Sequence, residues 1–333
     1  MWLICGCAFA CVIQSAFSDE GMSVIIALTA VVTSVLTEFL FTFKKSGINK
    51  IKDGSAAATA LILTLLLPNH IHPFHVVLAS FFAIAVVKHC FGGLGSNWLN
   101  PAVGGWLLIR FSWPSAFLKA LGDSVSVSQN IFSDNASPAG NAVADFLNGY
   151  VFSAAGVQLP YGYIDLFFNS AQGLITDRGI FALLIGTVII TAFGVNRSWI
   201  PLVFLAVYSF FIRMAGDLSA GFWNGDVLYG LFSGGTLMTA FILAAEPSSS
   251  AKLKGGVLFT VVLNAVLSWF FRYICLEYSG CFIALAVTNS LTPLIRVIED
   301  KFFLSRSGGD KSGKFLFKNL RFDDSDSTGE NLL

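Results

Sequence analysis

Glu38 and Lys88 are ionisable residues inside long apolar stretches of the chain. A charge in such a run is costly unless it meets a partner or lines a cavity, which makes it a functional suspect. Each stands a few residues before the end of its run, at similar depth. Two readings stay open: a structural ion pair or snorkelling lysine, and members of an ion path. Arg110, Arg213 and Arg272 fall near the other ends of their runs, where snorkelling accounts for them. A second set of candidates is built from small residues: Gly54-Ser55, Gly92-Gly93-Leu94-Gly95, Gly104-Gly105 and Ser233-Gly234-Gly235-Thr236. Such residues admit a close helix neighbour or a flat ligand. Packing is the plainer reading. Ligand binding is the sharper one, and for it Gly54, Ser55, Gly234, Gly235 and Thr236 are the residues singled out.

His70, His72 and His75 make HIHPFH, yet Pro73 interrupts any helical pairing of these ligand-type residues. A wet interfacial turn suits them better than a metal. The six cysteines include no CxxC pair, so an iron–sulfur or zinc site has little support. Cys275 and Cys281 flank a short loop, and a disulfide between them is one option. No Walker loop, Rossmann fingerprint, catalytic triad or metalloprotease motif occurs. No feature points to nucleic acid.

The elements that must carry these residues are membrane helices. Hydrophobic residues are 55% of the chain and charged residues 12%, against roughly a quarter charged in soluble domains. A soluble enzyme is thereby excluded. The fold class is an all-α integral membrane protein with about ten transmembrane helices. Apolar runs place them near 2–17, 23–43, 54–67, 73–92, 97–113, 178–195, 199–215, 225–245, 256–275 and 281–299. Two of them, 54–67 and 97–113, are short and read as broken or half-spanning. Non-helical backbone at membrane depth survives only under protein cover or beside a cavity, so these point inward. The first run has no basic residue before it and reads as a retained helix rather than a signal peptide.

Residues 1–299 form the membrane domain, with a long loop at 114–177, and residues 300–333 form a polar tail. Lys44, Lys45, Lys50, Lys52, Arg197, Lys252, Lys254 and the basic residues of the tail share one side if the spans alternate. Asp19, Glu20, Asp123, Asp134, Asp145, Asp165, Asp177 and Asp217 share the other. The positive-inside rule makes the first side cytoplasmic, with both termini there and 114–177 outside.

An internal echo links the small-residue motifs. Thr59-Ala60-Leu61-Ile62-Leu63 matches Thr239-Ala240-Phe241-Ile242-Leu243 at four of five positions, and each run ends in a proline, Pro68 and Pro247. The two runs are an odd number of spans apart and so cross in opposite directions. That is the pattern of an inverted repeat of about five plus five helices.

At these motifs the chain resembles RnfD, a membrane component of the Rnf electron-transport complex, in a family related to the NqrB component of the sodium-pumping NADH:quinone oxidoreductase. The text that carries the likeness is IKDGSAAATALILTLLLP, FFAIAVVKHCFGGLGSNWLNPAVGG, YIDLFFNSAQG, NRSWIPL and GGTLMTAFILAAEPSSS, in the family's order. The resemblance implies a subunit of a redox-driven pump in the bacterial cytoplasmic (inner) membrane. Electron transfer there is coupled to Na⁺ or H⁺ movement, with other Rnf-type membrane and iron–sulfur subunits as partners. It also implies a flavoprotein: FMN joined by a phosphoester to the last threonine of Asp-x-x-Ser/Thr-Gly-Ala-Thr in the outer loop, with riboflavin as a further option.

The corresponding loop reads Asp134-Asn135-Ala136-Ser137-Pro138-Ala139-Gly140. Asp134, Ser137 and Ala139 keep the pattern. Gly140 stands where the acceptor threonine belongs and has no hydroxyl to esterify, so covalent attachment is in doubt. The alternatives are an inverted-repeat channel or secondary transporter, and a scaffold subunit that has lost its flavin.

Overall fold

The computed structural model describes residues 1–17, 21–42, 53–90, 97–121, 173–194, 197–215, 223, 225–246, 251 and 253–306. They are helical, apart from one isolated bridge between Pro68 and Leu174. The first half holds α1 (Trp2–Ala16), α2 (Met22–Thr42), α3 (Ser55–Leu66), α4 (Pro73–Phe82) with a π-helical extension (Ala83–His89), and α5 (Pro101–Ser112). Between the halves lie α6 (Pro114–Leu121) and the short α7 (Ile175–Arg178). The second half holds α8 (Ile180–Ala192), α9 (Trp199–Ala215), α10 (Val227–Phe232), and α11 (Thr236–Met238) with a π-helical extension (Thr239–Leu243). It ends with α12 (Lys254–Trp269), extended by a π-helical turn (Phe270–Ile274), and α13 (Gly280–Arg306).

Every apolar run named from the sequence contains a helix. Among the described residues three helices, Met22–Thr42, Lys254–Ile274 and Gly280–Glu299, are long and apolar enough to cross a bilayer, and five more are apolar but shorter. On α2, Val24, Leu28, Val32, Leu36 and Leu40 are exposed, while Ser23, Ala27, Ala30, Ser34, Thr37 and Glu38 are buried. Apolar outside and small or polar inside is the arrangement that lipid selects. There the drive to bury apolar surface is gone, and packing and hydrogen bonds decide what faces inward.

The halves repeat one plan. In each, two apolar helices (in the second half followed by the short α10) precede a short helix that starts at a glycine in the left-handed region. A helix ending in a π-helical turn and a final helix follow. Gly54 (φ 67°) opens α3, and Gly234 (φ 67°) and Gly235 (φ 72°) open α11. Only glycine adopts this conformation without steric cost. The first helices of the halves, α1 and α8, pack on each other, and so do the last, α5 and α13. Such pairing of equivalent helices is compatible with a two-fold relation. The α1–α8 contact is close because Gly179 and Gly186 leave room for Cys11 and Cys7. The Gln14 side chain accepts the Ala182 N–H there at 2.7 Å.

Two expectations need correction. The run at 225–245 is not one helix, because Ser233-Gly234-Gly235 breaks it into α10 and α11. The interval 114–177 is not loop throughout. It begins with α6, and at its end the Ile175 N–H donates to the Leu67 carbonyl at 3.0 Å, tying the returning chain to the end of α3.

Candidate functional site

Each broken helix carries a buried polar cluster. In the first half, Lys88 lies in the π-helical turn of α4 and is 2% exposed. Its Nζ donates to Glu38 Oε2 and to Ser55 Oγ, each at 2.8 Å. Ser55 is the first residue of α3, held there by Gly54. His89 Nε2 lies 3.2 Å from the same Glu38 oxygen, and its ring stacks on Phe41 with centroids 5.2 Å apart. Glu38 and Lys88 are thus a buried ion pair, and the lysine does not snorkel. An ion pair out of water keeps its charges only with good geometry and further hydrogen bonds. Ser55 and His89 supply them.

The second cluster centres on Arg272, in the π-helical turn of α12 and fully buried. Snorkelling does not describe it. Its guanidinium donates to the Ser233 carbonyl at 2.7 Å, the Gly230 carbonyl at 3.1 Å, Thr236 Oγ1 at 3.2 Å and Ser233 Oγ at 2.5 Å. These oxygens belong to the break between α10 and α11, where helix geometry leaves carbonyls without intrahelical donors. The rings of Tyr229, Tyr273 and Tyr278 surround the guanidinium at 5.6–5.7 Å.

Beside it, Asp177 is buried at the end of the long inter-half segment. Its carboxylate accepts the N–H groups of Gly235 (2.9 Å), Gly234 (3.2 Å) and Leu174 (3.3 Å) and the Tyr278 hydroxyl (2.9 Å). Two successive glycine N–H groups in left-handed geometry make an anion-binding concavity. Here the chain's own carboxylate fills it. Burial pushes the Asp177 carboxyl above its ordinary range, while the Gly235 N–H, the Tyr278 hydroxyl, the Leu174 N–H and the Arg272 charge pull it down.

The structure therefore brings Glu38, Lys88 and Ser55 together, and sets Gly234, Gly235 and Thr236 in a separate cluster. It leaves little space beside the glycines. A Cβ on Gly54 would meet the Trp2 indole at 3.2 Å, one on Gly234 the Tyr278 carbonyl, and one on Gly235 the Phe282 ring. The Thr236 hydroxyl already donates to the Gly230 and Ser233 carbonyls at 3.0 Å. Asp134, Ser137 and Gly140 lie outside the described residues.

His72 caps α4 by accepting the Phe74 N–H at 3.2 Å. Among the described residues no group of three or more His, Cys, Asp or Glu is placed to hold a metal. Cys275 and Cys281 are both free thiols, the first exposed and the second buried.

The sequence reading missed Arg272 and Asp177. For Arg272 a signal existed: it sits in the second half where Lys88 sits in the first, near the end of the helix that follows the broken one. Asp177 gave none, because in sequence it is one more acid in an acidic loop.

The fold and these two clusters define an all-helical integral membrane protein of two like halves, each with a helix that opens at a left-handed glycine and is clamped by a buried cation. The chain belongs to the NQR2, RnfD, RnfE family, whose model matches residues 1–303. It is 27% identical over 308 residues to the D-type subunit of the proton-translocating ferredoxin:NAD(+) oxidoreductase complex of Clostridium ljungdahlii, covering 91% of this chain and 88% of that protein. It is 28% identical over 267 residues to the D-type subunit of the Na(+)-translocating ferredoxin:NAD(+) oxidoreductase complex of Acetobacterium woodii, covering 80% and 77%. To the D-type subunit of the ion-translocating oxidoreductase complex of Alcanivorax borkumensis it is 31% identical over 300 residues, covering 87% and 86%.

Proposed function

We propose that this chain is the D-type membrane subunit of a redox-driven ion pump, in which electron transfer between ferredoxin and NAD⁺ drives Na⁺ or H⁺ across the bacterial cytoplasmic membrane. The observation that carries this reading is the family match over residues 1–303, shared with relatives named as D-type subunits of such complexes. Both termini face the cytoplasm and residues 114–177 face outward, on the loop-charge asymmetry. The cysteines form no iron–sulfur ligand set, so those centres belong to partner subunits.

The flavin follows the same logic. FMN esterified to this chain requires a hydroxyl at the acceptor position, and Gly140 has none. Any FMN or riboflavin on this subunit is therefore held without a covalent bond.

One preparation tests both points. The complex is purified from its native membrane and reconstituted in proteoliposomes. Ferredoxin-dependent NAD⁺ reduction is expected to move Na⁺ or H⁺, and loss of this chain to abolish both. On a denaturing gel under ultraviolet light the band of this chain stays dark. The Gly140→Thr, Pro138→Gly double variant, co-expressed with a flavin transferase, becomes fluorescent. Electron transfer with no ion movement would sink the pump reading, and a fluorescent wild-type band would sink the non-covalent one.

A further inference from the structure

A third polar site lies away from both clusters, between the C-terminal end of α11 and the facing sides of α12 and α13. It is a small cavity lined by Leu243, Ala244, Thr260, Asn264, Thr288, Asn289 and Thr292, among others. It leaves about 20 Å³ for the centre of a water-sized occupant. That is room for one water or one small ion, since a single water needs ~10–15 Å³ by this measure. A flavin or nucleotide is excluded by size.

Beside apolar residues, the lining carries three threonine hydroxyls whose own protons are already committed. Thr260 Oγ1 donates to the Val257 carbonyl at 2.8 Å, Thr288 Oγ1 to that of Ala284 at 2.8 Å, and Thr292 Oγ1 to that of Thr288 at 3.0 Å. Each hydroxyl therefore has only lone pairs left for the cavity. Asn264 is 1% exposed and neither atom of its amide has a hydrogen-bond partner. Asn289 is 4% exposed and its amide nitrogen has none. Half a turn of either amide exchanges its nitrogen for its oxygen, so both can offer a carbonyl. An unsatisfied carboxamide inside a membrane bundle is destabilising. Retaining two of them on facing helices calls for an occupant.

The polar side of the lining offers neutral oxygens to that occupant. Neutral hydroxyl and carbonyl oxygens suit a hard cation. A divalent ion asks for carboxylates, and none lines the cavity. The C-terminal end of a broken helix adds the negative end of its dipole, and half-helix ends of this kind coordinate alkali ions.

We propose that Asn264, Asn289, Thr260, Thr288 and Thr292, with the C-terminal end of α11, form a binding site for one dehydrated Na⁺. The proposal deepens the reading of the chain as an ion-pump subunit and rests on it.

The test measures binding of radioactive sodium to the purified full-length chain by equilibrium dialysis, with choline chloride balancing ionic strength. One saturable Na⁺ per chain is expected, with K⁺ competing poorly. Asn264→Leu and Thr288→Val should each weaken binding about tenfold or more, the loss of one ligand at ~1.4 kcal/mol. Both are near-isosteric, and thermal melting in choline should show them at least as stable as the wild type, because they remove buried polar groups. Asn289→Leu is the reserve variant if either fails to fold. Absence of saturable binding, equal competition by K⁺, or wild-type affinity in the variants each overturns the site. Ion transport by the reconstituted complex is scored separately. Transport without sodium binding removes the site and leaves the pump, while binding by a chain whose complex transports nothing removes the pump and leaves the site.

Discussion

In the first half of the molecule a buried ammonium meets a carboxylate. In the second a buried guanidinium meets only neutral oxygens, while a carboxylate close by is held by backbone N–H groups and a tyrosine. The backbone device is shared: a left-handed glycine opens a short helix, and a cation on a π-helical turn clamps the opening. The chemistry of the clamp is not. Lys88 presents a compact point charge with three donors, two of which go to a carboxylate and a hydroxyl. Arg272 presents a planar fork whose donors spread over several acceptors at the helix break. Duplicated architecture fixes where a cation must sit, and the identity of that cation decides whether it needs a counter-charge in contact.

The largest effects should come from the first clamp. Removing one member of a buried ion pair strands the other charge and costs about 3–5 kcal/mol, whereas replacing both by apolar or neutral groups costs far less. Glu38→Gln and Lys88→Met are each expected to lower stability by that amount, and the double variant to recover most of it. Unfolding of the purified protein in mixed detergent micelles checks this. Additive losses in the double variant would mean that the two charges do not depend on each other.

How much of this was legible follows from what sequence encodes locally. Helix positions were legible because apolar runs in a membrane protein are set by bilayer thickness, a local constraint. Gly54 was legible because it opens a short run visible as text, whereas Gly234 and Gly235 were legible only as small residues inside a run. Arg272 was not, because a basic residue near a helix end reads the same whether it reaches to the interface or turns inward. Only the three-dimensional position of Ser233 and Thr236 decides. Asp177 was hidden for a similar reason: its donors come from residues 57 and 58 positions further along the chain. The unbroken 225–245 run misled because Ser, Gly and Thr are tolerated in membrane helices, so SGGT is no stop signal by itself.

A smaller effect should separate the second clamp from the first. Arg272→Met takes one donor from the Gly230 and Ser233 carbonyls, which keep only the shared Thr236 hydroxyl, but it strands no charge in direct contact, since Asp177 keeps its four donors. We expect a loss of about 2–4 kcal/mol, below that of Lys88→Met, with Arg272→Lys in between. The same micelle assay measures it. If Asp177→Asn restored the stability of Arg272→Met, the two would be acting as an ion pair and the contrast between the halves would break.

The finest discrimination lies in the two serines that touch the cations. Ser55 Oγ accepts from Lys88, which also holds a full carboxylate at 2.8 Å. Ser233 Oγ accepts from Arg272 Nη2 and itself donates to the Tyr229 carbonyl. Deleting either hydroxyl removes one oxygen and leaves almost no cavity, so the cost reports the hydrogen bonds. For Ser55→Ala it should be about 1 kcal/mol, because the ammonium keeps its main partner. For Ser233→Ala it should be about 2 kcal/mol, because Nη2 and the Tyr229 carbonyl both lose a partner and no carboxylate compensates. Chemical denaturation of the two single variants, side by side, resolves a difference of this size when the denaturant slopes agree. Equal losses would show that the nearby Asp177 neutralises Arg272 through space as effectively as Glu38 neutralises Lys88 in contact, and the two halves would then differ in geometry alone.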